Sequence, residues 1–293
     1  MSSNQINKTV LTSGADFFSD QQAINPYYVN KKGSINVERA KQEHATILTA
    51  MQNAGIKVIK VDPPANCQDG VYTSNWGLVR GNKVVLSTLP PARTGEEPYA
   101  EATLRSLGKD VMKLPNSVHF SGQADALPCG NYLLAGLGYR TEVAAHQFVA
   151  EQLGYDVISL QTIPKRSFFG FGKPVINKYS GWPDSFFYDI DLAIAILRPN
   201  LIAWCSKAFL PASRDVIRNL PGIEKIEVAY AEAVKGFACN LVSTGETVIM
   251  SSSAPKLQAA IDARGLKTIT IDAPELIKGG GFIRCIALTL DNE

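Results

Sequence analysis

Apolar and polar positions alternate along this chain in two rhythms, and the switch between them recurs. Val10–Thr12 reads as a short strand, and Asp16–Tyr28 as a turn-rich stretch. From Asn36 to Ala54 the spacing becomes helical, with Val37, Ala40, Ile47, Leu48 and Met51 on one stripe, Asn36 as N-cap and Gly55 as stop. His44 lies within that stripe and is expected in the core. Ile56–Val61 follows as a buried strand. Two β-rich runs in Val71–Leu86 flank Gly81-Asn82, which is a hairpin signal. The stiff loop Pro90–Pro98 leads to a helix over Tyr99–Leu107 and a strand at Val111–Leu114.

The pattern then repeats. A hairpin spans Ala124–Leu137 about Cys129-Gly130-Asn131, a helix capped by Thr141 covers Glu142–Leu153, and Asp156–Leu160 is a strand. His146 is expected at a surface or half-buried position. Further strands fall at Phe186–Leu197, Leu201–Trp204, Ile226–Ala229, Asn240–Ser251, Thr268–Ile271 and Phe282–Leu290, with helices at Ala212–Asn219 and Lys256–Arg264. Strand, hairpin, helix and strand recur over roughly fifty to sixty residues, a period that suggests radial repetition. Pro164–Asp184 breaks the rhythm as a Gly-, Phe- and Pro-rich loop that reads as an ordered flap.

One stretch carries candidate chemistry. In Lys278–Leu288 three glycines, Gly279, Gly280 and Gly281, run into an apolar segment that holds Cys285. Glycines allow close approach and positive φ, and a cysteine on the following strand can serve as a thiol nucleophile beside backbone N–H groups. The alternative is an inert core cysteine, which free thiols often are.

Bulk composition narrows the field. The 293 residues carry 45% hydrophobic and 19% charged residues with a formal net charge of +2, which argues for no nucleic-acid or membrane partner. No apolar run reaches bilayer length, and the N-terminal residues lack signal-peptide character. Cys67, Cys129, Cys205, Cys239 and Cys285 are scattered, without metal spacing, so free thiols, a cytoplasmic location and no metal or cofactor are expected.

Several of these pieces, in this order, resemble the guanidino-group modifying enzymes: dimethylarginine dimethylaminohydrolase, arginine deiminase and the amidinotransferases. The resemblance runs from Ile24-Asn25-Pro26-Tyr27 to Gly279–Cys285. It implies an α/β fold, a single five-bladed α/β propeller (the pentein fold) over residues 1–293, with the flap at about 164–184 inserted. It also implies that Cys285 attacks a guanidinium carbon, and that Arg140, in Gly136–Thr141, reads an anionic tail. Arg93 looks like a second such arginine; its alternative is pairing with Glu96 or Glu97. Asp191 matches a carboxylate that grips guanidinium nitrogens, and Asn75 stands where deiminases carry aspartate.

Two departures matter. The family's Phe-Glu-Gly-x-x-Asp is Phe120-Ser121-Gly122-Gln123-Ala124-Asp125, and its Tyr-His-Leu-Asp is Tyr188-Asp189-Ile190-Asp191. Ser121 thus replaces a glutamate that holds the substrate, and Asp189 replaces the proton-shuttling histidine, whose task needs a pKa near neutrality. Close carboxylates can raise one another, which offers Asp189 a route to that task. His119 is a further candidate base if pleating lets it reach. The resemblance therefore supports a cysteine-dependent enzyme, hydrolase or amidinotransferase, acting on a small molecule with a cationic or polar head and an anionic tail. The competing reading is a binding protein on an inherited scaffold. A homo-oligomer is compatible with both.

Overall fold

The computed structural model describes residues 5–115, 117–168 and 172–292. Its described strands form five three-stranded sheets, each with the same internal plan. In four of them a strand pairs antiparallel with its successor, a helix follows, and a third strand joins parallel to the second. These are β3 (Gly77–Arg80), β4 (Lys83–Leu86) and β5 (Asp110–Met112); β6 (Ala126–Cys129), β7 (Tyr132–Gly136) and β8 (Asp156–Leu160); β9 (Ile194–Arg198), β10 (Leu201–Trp204) and β11 (Glu224–Glu227); and β12 (Val242–Ser243), β13 (Thr247–Ser251) and β14 (Lys267–Ile271). The fifth sheet joins the chain's two ends. β15 (Leu288–Thr289) pairs antiparallel with β1 (Thr9–Thr12), which pairs parallel with β2 (Lys57–Lys60).

The parallel third strands require a crossover, and amphipathic helices supply it. The longest described helix, α2 (Val37–Asn53), buries Ala40, Ile47, Leu48 and Met51, and the Asn36 side chain accepts from the Arg39 N–H at 3.0 Å. Stripe, cap and Gly55 stop (φ 88°) agree with the sequence reading. His44 is buried, 3.1 Å from the Thr12 hydroxyl. The hairpin turn at Gly81 (φ 56°) also falls where Gly-Asn placed it.

Expected strands were too long wherever the chain nears the site. Thr73–Trp76 is a 3-10 turn, not the first half of a strand, and so is Ile190–Leu192 within the expected strand Phe186–Leu197. Phe282–Ala287 is likewise a turn, in which the Ile286 N–H donates to the Phe282 carbonyl at 3.3 Å, so Cys285 lies before the strand instead of inside it. Alternation of apolar residues misleads here because these turns are buried on all sides, and polarity no longer marks a face. Two short helices were missed: α1 (Pro26–Asn30), capped by the Asn25 side chain, and the helix Tyr230–Gly236. The helix expected from Tyr99 begins at Glu96, with Pro98 tolerated in its first turn (α3, Glu96–Ser106).

The flap is ordered in its described part. Val175 N–H donates to the Lys165 carbonyl and Asp184 N–H to the Val175 carbonyl, and Asn177 Nδ2 ties the loop to the Ala23 carbonyl at 2.9 Å. Residues 169–171 of the expected flap lie outside the described residues. No described helix is long and apolar enough to cross a membrane.

Candidate active site

Five turns precede the first strands of the five sheets, and they carry most of the candidate residues. Asn75 sits in the turn before β3; Ser121 and Asp125 flank the turn Gly122–Ala124 before β6; Asp189 and Asp191 flank or occupy Ile190–Leu192 before β9. Asn240 precedes β12, and Cys285 precedes β15. These turns bond to one another. Ser74 N–H donates to the Cys285 carbonyl at 3.0 Å, Asn75 Nδ2 to the Ser121 carbonyl at 3.1 Å, and Ile190 N–H to Asp125 Oδ1 at 2.9 Å. Asn240 Oδ1 in turn accepts from the N–H groups of Phe282, Arg284 and Cys285 at 3.1, 3.0 and 3.3 Å.

Cys285 is therefore held by a cap that sequence reading did not single out. The same Asn240 carboxamide donates from Nδ2 to Cys285 Sγ at 3.2 Å, and Sγ donates to Asp191 Oδ2 at 3.3 Å. The thiol is buried, but among polar groups. Burial first, and Asp191 second, push the Cys285 thiol well above its ordinary value, opposed by the Phe282 backbone and Asn240. At rest the sulfur is a neutral S–H.

Around it lies a cluster of three buried carboxyls, Asp125, Asp189 and Asp191. Burial, then the neighbouring Asp189, pushes both Asp125 and Asp191 well above the usual carboxylate range. Like charges in a desolvated site resist joint ionisation. Asp189 Oδ2 accepts from Asn75 Nδ2 at 3.0 Å, and the same nitrogen lies 2.9 Å from Ser121 Oγ. The second oxygens, Asp189 Oδ1 and Asp191 Oδ1, are buried without a hydrogen-bond partner. Two unfilled acceptors beside a thiol have the capacity to take hydrogen bonds from a multiple N–H donor.

The glycines serve close packing. A Cβ on Gly281 would stand 2.5 Å from Tyr72 Cε1 and 2.9 Å from Cys285 Cβ, and Gly280 has φ 89° with Tyr188 Oη 2.8 Å from where its Cβ would be. The Tyr188 hydroxyl donates to the Gly280 carbonyl at 2.8 Å, which pins this loop against the Asp189 segment.

The two arginines part company. Arg140 is buried; its Nη2 donates to the Ile24 carbonyl at 3.1 Å, and its guanidinium lies 4.3 Å from the centre of the Tyr188 ring. Arginine ion pairs among the described residues involve Arg39, Arg93, Arg105, Arg218 and Arg264, so Arg140 has no carboxylate partner there. It lines a cavity of about 420 Å³ together with His119 and the flap residue Trp182. Arg93 instead takes the alternative that its sequence context allowed: Nε and Nη2 grip both oxygens of Glu96 at 2.7 and 2.8 Å. Its Nη1 donates to Asn75 Oδ1 at 2.7 Å, so Arg93 orients Asn75 and its fork is filled by protein. Burial opposes its charge, yet Glu96 outweighs that and drives its pKa upward.

His119 does not join the carboxyls: it is half-buried, stacked 4.1 Å from the Trp182 ring, with Nδ1 4.0 Å from Glu142. His146 is buried, not half-exposed, with its ring nitrogens 2.7 Å from Ser159 Oγ and 2.9 Å from the Gly136 carbonyl. Thr141 does not cap the helix Val143–Leu153; its hydroxyl accepts from the Ser121 N–H at 3.3 Å. Asp69 was also missed. It is buried, accepts from the Tyr28 hydroxyl at 2.5 Å, and burial raises it to about 6 against the pull of Arg93.

The chain matches the family described as eukaryotic N,N dimethylarginine dimethylhydrolase over residues 12–290. It is 30% identical over 283 residues to the bifunctional arginine dihydrolase/ornithine cyclodeaminase ArgZ of Synechocystis sp., covering 95% of this chain and 37% of that protein. The chain thus spans little more than a third of that relative's length. It is also 30% identical to the N(G),N(G)-dimethylarginine dimethylaminohydrolase of Mycobacterium tuberculosis, covering 94% of this chain and 83% of that one. Among solved structures, the product-bound N-terminal domain of the cyanobacterial ArgZ, an arginine dihydrolase, superposes with a TM-score of 0.86 at 29% identity and 97% coverage of each chain. The chain belongs to the N,N-dimethylarginine dimethylhydrolase family, within the pentein superfamily of guanidino-group modifying enzymes.

Proposed function

We propose that this protein is a cysteine-dependent hydrolase of a guanidino C–N bond in an arginine-like small molecule. The observation that carries the reading is Cys285 Sγ 3.3 Å from Asp191, beside two buried carboxyl oxygens with no partner. The names of its relatives, an arginine dihydrolase and a dimethylarginine dimethylaminohydrolase, point to the same substrate class.

The chemistry balances with the chain's own groups. A guanidinium seated on Asp189 and Asp191 brings positive charge next to the thiol, which favours the thiolate. The thiol proton passes to Asp189, the thiolate adds to the guanidinium carbon, and a neutral tetrahedral adduct forms. Asp189 then protonates one nitrogen, the C–N bond breaks, and ammonia or an amine leaves behind an S-alkylthiouronium cation on Cys285. Water adds to that carbon and gives its proton to Asp189. The C–S bond breaks as the adduct's hydroxyl proton passes to sulfur, the ureido product departs with the thiol restored, and Asp189 releases the water's proton to solvent. An amine in place of water gives transfer. Asn75 and Ser121 orient Asp189, Asp125 supports the turn through Ile190, and Arg140 reads the anionic tail. The five sheets fit the blades of one closed ring, with the five turns meeting at its axis, because four of the five neighbouring pairs of turns are hydrogen-bonded and β15 completes the sheet of β1 and β2.

The purified protein should be incubated with arginine, its mono- and dimethylated forms, and agmatine, following ammonia, amine and ureido product, with Cys285→Ala as control. Turnover of at least one that vanishes in Cys285→Ala is expected. Absence of turnover with all of them overturns the hydrolase.

A second reading has its own observation. Asp189 and Ser121 stand where the resembled motifs carry histidine and glutamate, which suits a protein that holds a guanidino ligand without cleaving it. It requires saturable thermal stabilisation by such a ligand with no product, and any wild-type turnover excludes it.

A further inference from the structure

Next to the nucleophile in sequence, Arg284 is only 6% exposed and belongs to none of the described ion pairs. Its Nη1 donates to neutral oxygens, Asn7 Oδ1 at 3.3 Å and Thr289 Oγ1 at 3.0 Å, and its Nε is buried without any partner. A guanidinium removed from water without a direct ion pair is costly, and Asp191 and Cys285 offset that burial only in part. Burial accordingly presses Arg284 down to about 10, which leaves it charged at neutral pH.

Arg284 lines a cavity of about 480 Å³ that contains none of Cys285, Asp189 or Asp191. Gln123, 1% exposed, lines it too, and its Nε2 is a second buried donor with no partner. The two are joined through Thr289, whose N–H donates to Gln123 Oε1 at 2.8 Å while its hydroxyl accepts from Arg284. The one carboxylate on the lining, Asp291, is occupied by the N–H groups of Lys8 and Thr9 at 3.0 and 2.9 Å. The rest of the wall mixes apolar Leu127, Ile194 and Leu241 with polar Asn131 and Asn292 and the basic residues Lys8 and Arg80. Donors without acceptors, a buried cation, further basic residues and an apolar flank in a volume of this size suit a small amphipathic anion.

We propose that this cavity is a second ligand site, which takes a small organic carboxylate: its oxygens pair with Arg284 and Gln123, and its short apolar body lies along Leu127, Ile194 and Leu241. One guanidinium with one amide matches a carboxylate's two oxygens, and the apolar flank matches a short alkyl body.

Calorimetric titration and thermal unfolding of the full chain at constant ionic strength, with butyrate, hexanoate, inorganic phosphate and hexanol as probes, test it. Saturable 1:1 binding of hexanoate, tighter than butyrate, with a rise in Tm is expected. It should persist in Arg140→Gln, which removes the proposed tail reader of the active site. It should weaken about tenfold or more in both Arg284→Met and Gln123→Glu, the second placing a carboxylate where the ligand's would be. Gln123→Glu retains an acceptor for the Thr289 N–H, so it serves if Arg284→Met fails to fold. No saturable carboxylate binding, binding of phosphate only, equal affinity for hexanol, loss in Arg140→Gln, or unchanged affinity in Gln123→Glu overturns the proposal.

Discussion

Asn240 holds Cys285 at two atoms: its Oδ1 accepts from the cysteine N–H at 3.3 Å and its Nδ2 donates to Sγ at 3.2 Å. One rigid carboxamide thereby fixes both the backbone and the sulfur of the proposed nucleophile. Asn240→Ala would strand three buried N–H groups, those of Phe282, Arg284 and Cys285. Denaturant unfolding should show a loss of about 2–4 kcal/mol. Turnover should fall further than the change in stability explains, because the thiol would lose its aim.

The resting thiol is neutral, since burial and then Asp191 push it up. Alkylation of Cys285 by iodoacetamide, read by mass spectrometry from pH 6 to 10, should climb without a plateau through the ordinary thiol value of about 8.5. Bound arginine should shift the chemistry of the site toward thiolate. A plateau near pH 7 in the free protein would contradict the environment described above.

His44 ties the longest helix to β1 and is pushed down to about 4, by burial first and then by Lys60. The folded state binds fewer protons at this ring than the unfolded state does. Its contribution is therefore complete above pH 6.5 and is lost as pH falls through about 4. His44→Gln should remove this acid-side slope, worth at most about 3 kcal/mol. The difference between wild-type and variant unfolding free energies across pH 4 to 7 measures it.

Arg93 and Glu96 are both buried and mutually bound. Arg93→Met should destabilise the fold by about 3–5 kcal/mol, because Glu96 is left charged and unpaired. Arg93→Met combined with Glu96→Leu should regain most of that. If Arg93 acted on the substrate's tail and not on Asn75, the double variant would raise KM with kcat unchanged. The orientation of Asn75 predicts instead a fall in kcat.

How the fold was read shows where local pattern suffices. Helix α2, its Asn36 cap and Gly55 stop, and the Gly81-Asn82 hairpin follow from side-chain spacing and backbone preference, which are properties of neighbours in sequence. The order of candidate residues was equally legible, and Cys285, Asp189, Asp191, Asn75 and Ser121 do meet. The turns that carry Asn75, Asp191 and Cys285 were expected as strands, since burial on every side removes the alternation that marks a strand's two faces.

By itself the sequence determined the repeating elements, the separated thiol and acids, and which family residues are replaced. Only tertiary structure decided what those groups face. Whether Arg93 or Arg140 keeps an uncommitted charge depends on Glu96 pairing with the first and no described carboxylate forming an ion pair with the second. That Asn240 grips a cysteine 45 residues later is a matter of sheets packed side by side, which no local pattern encodes.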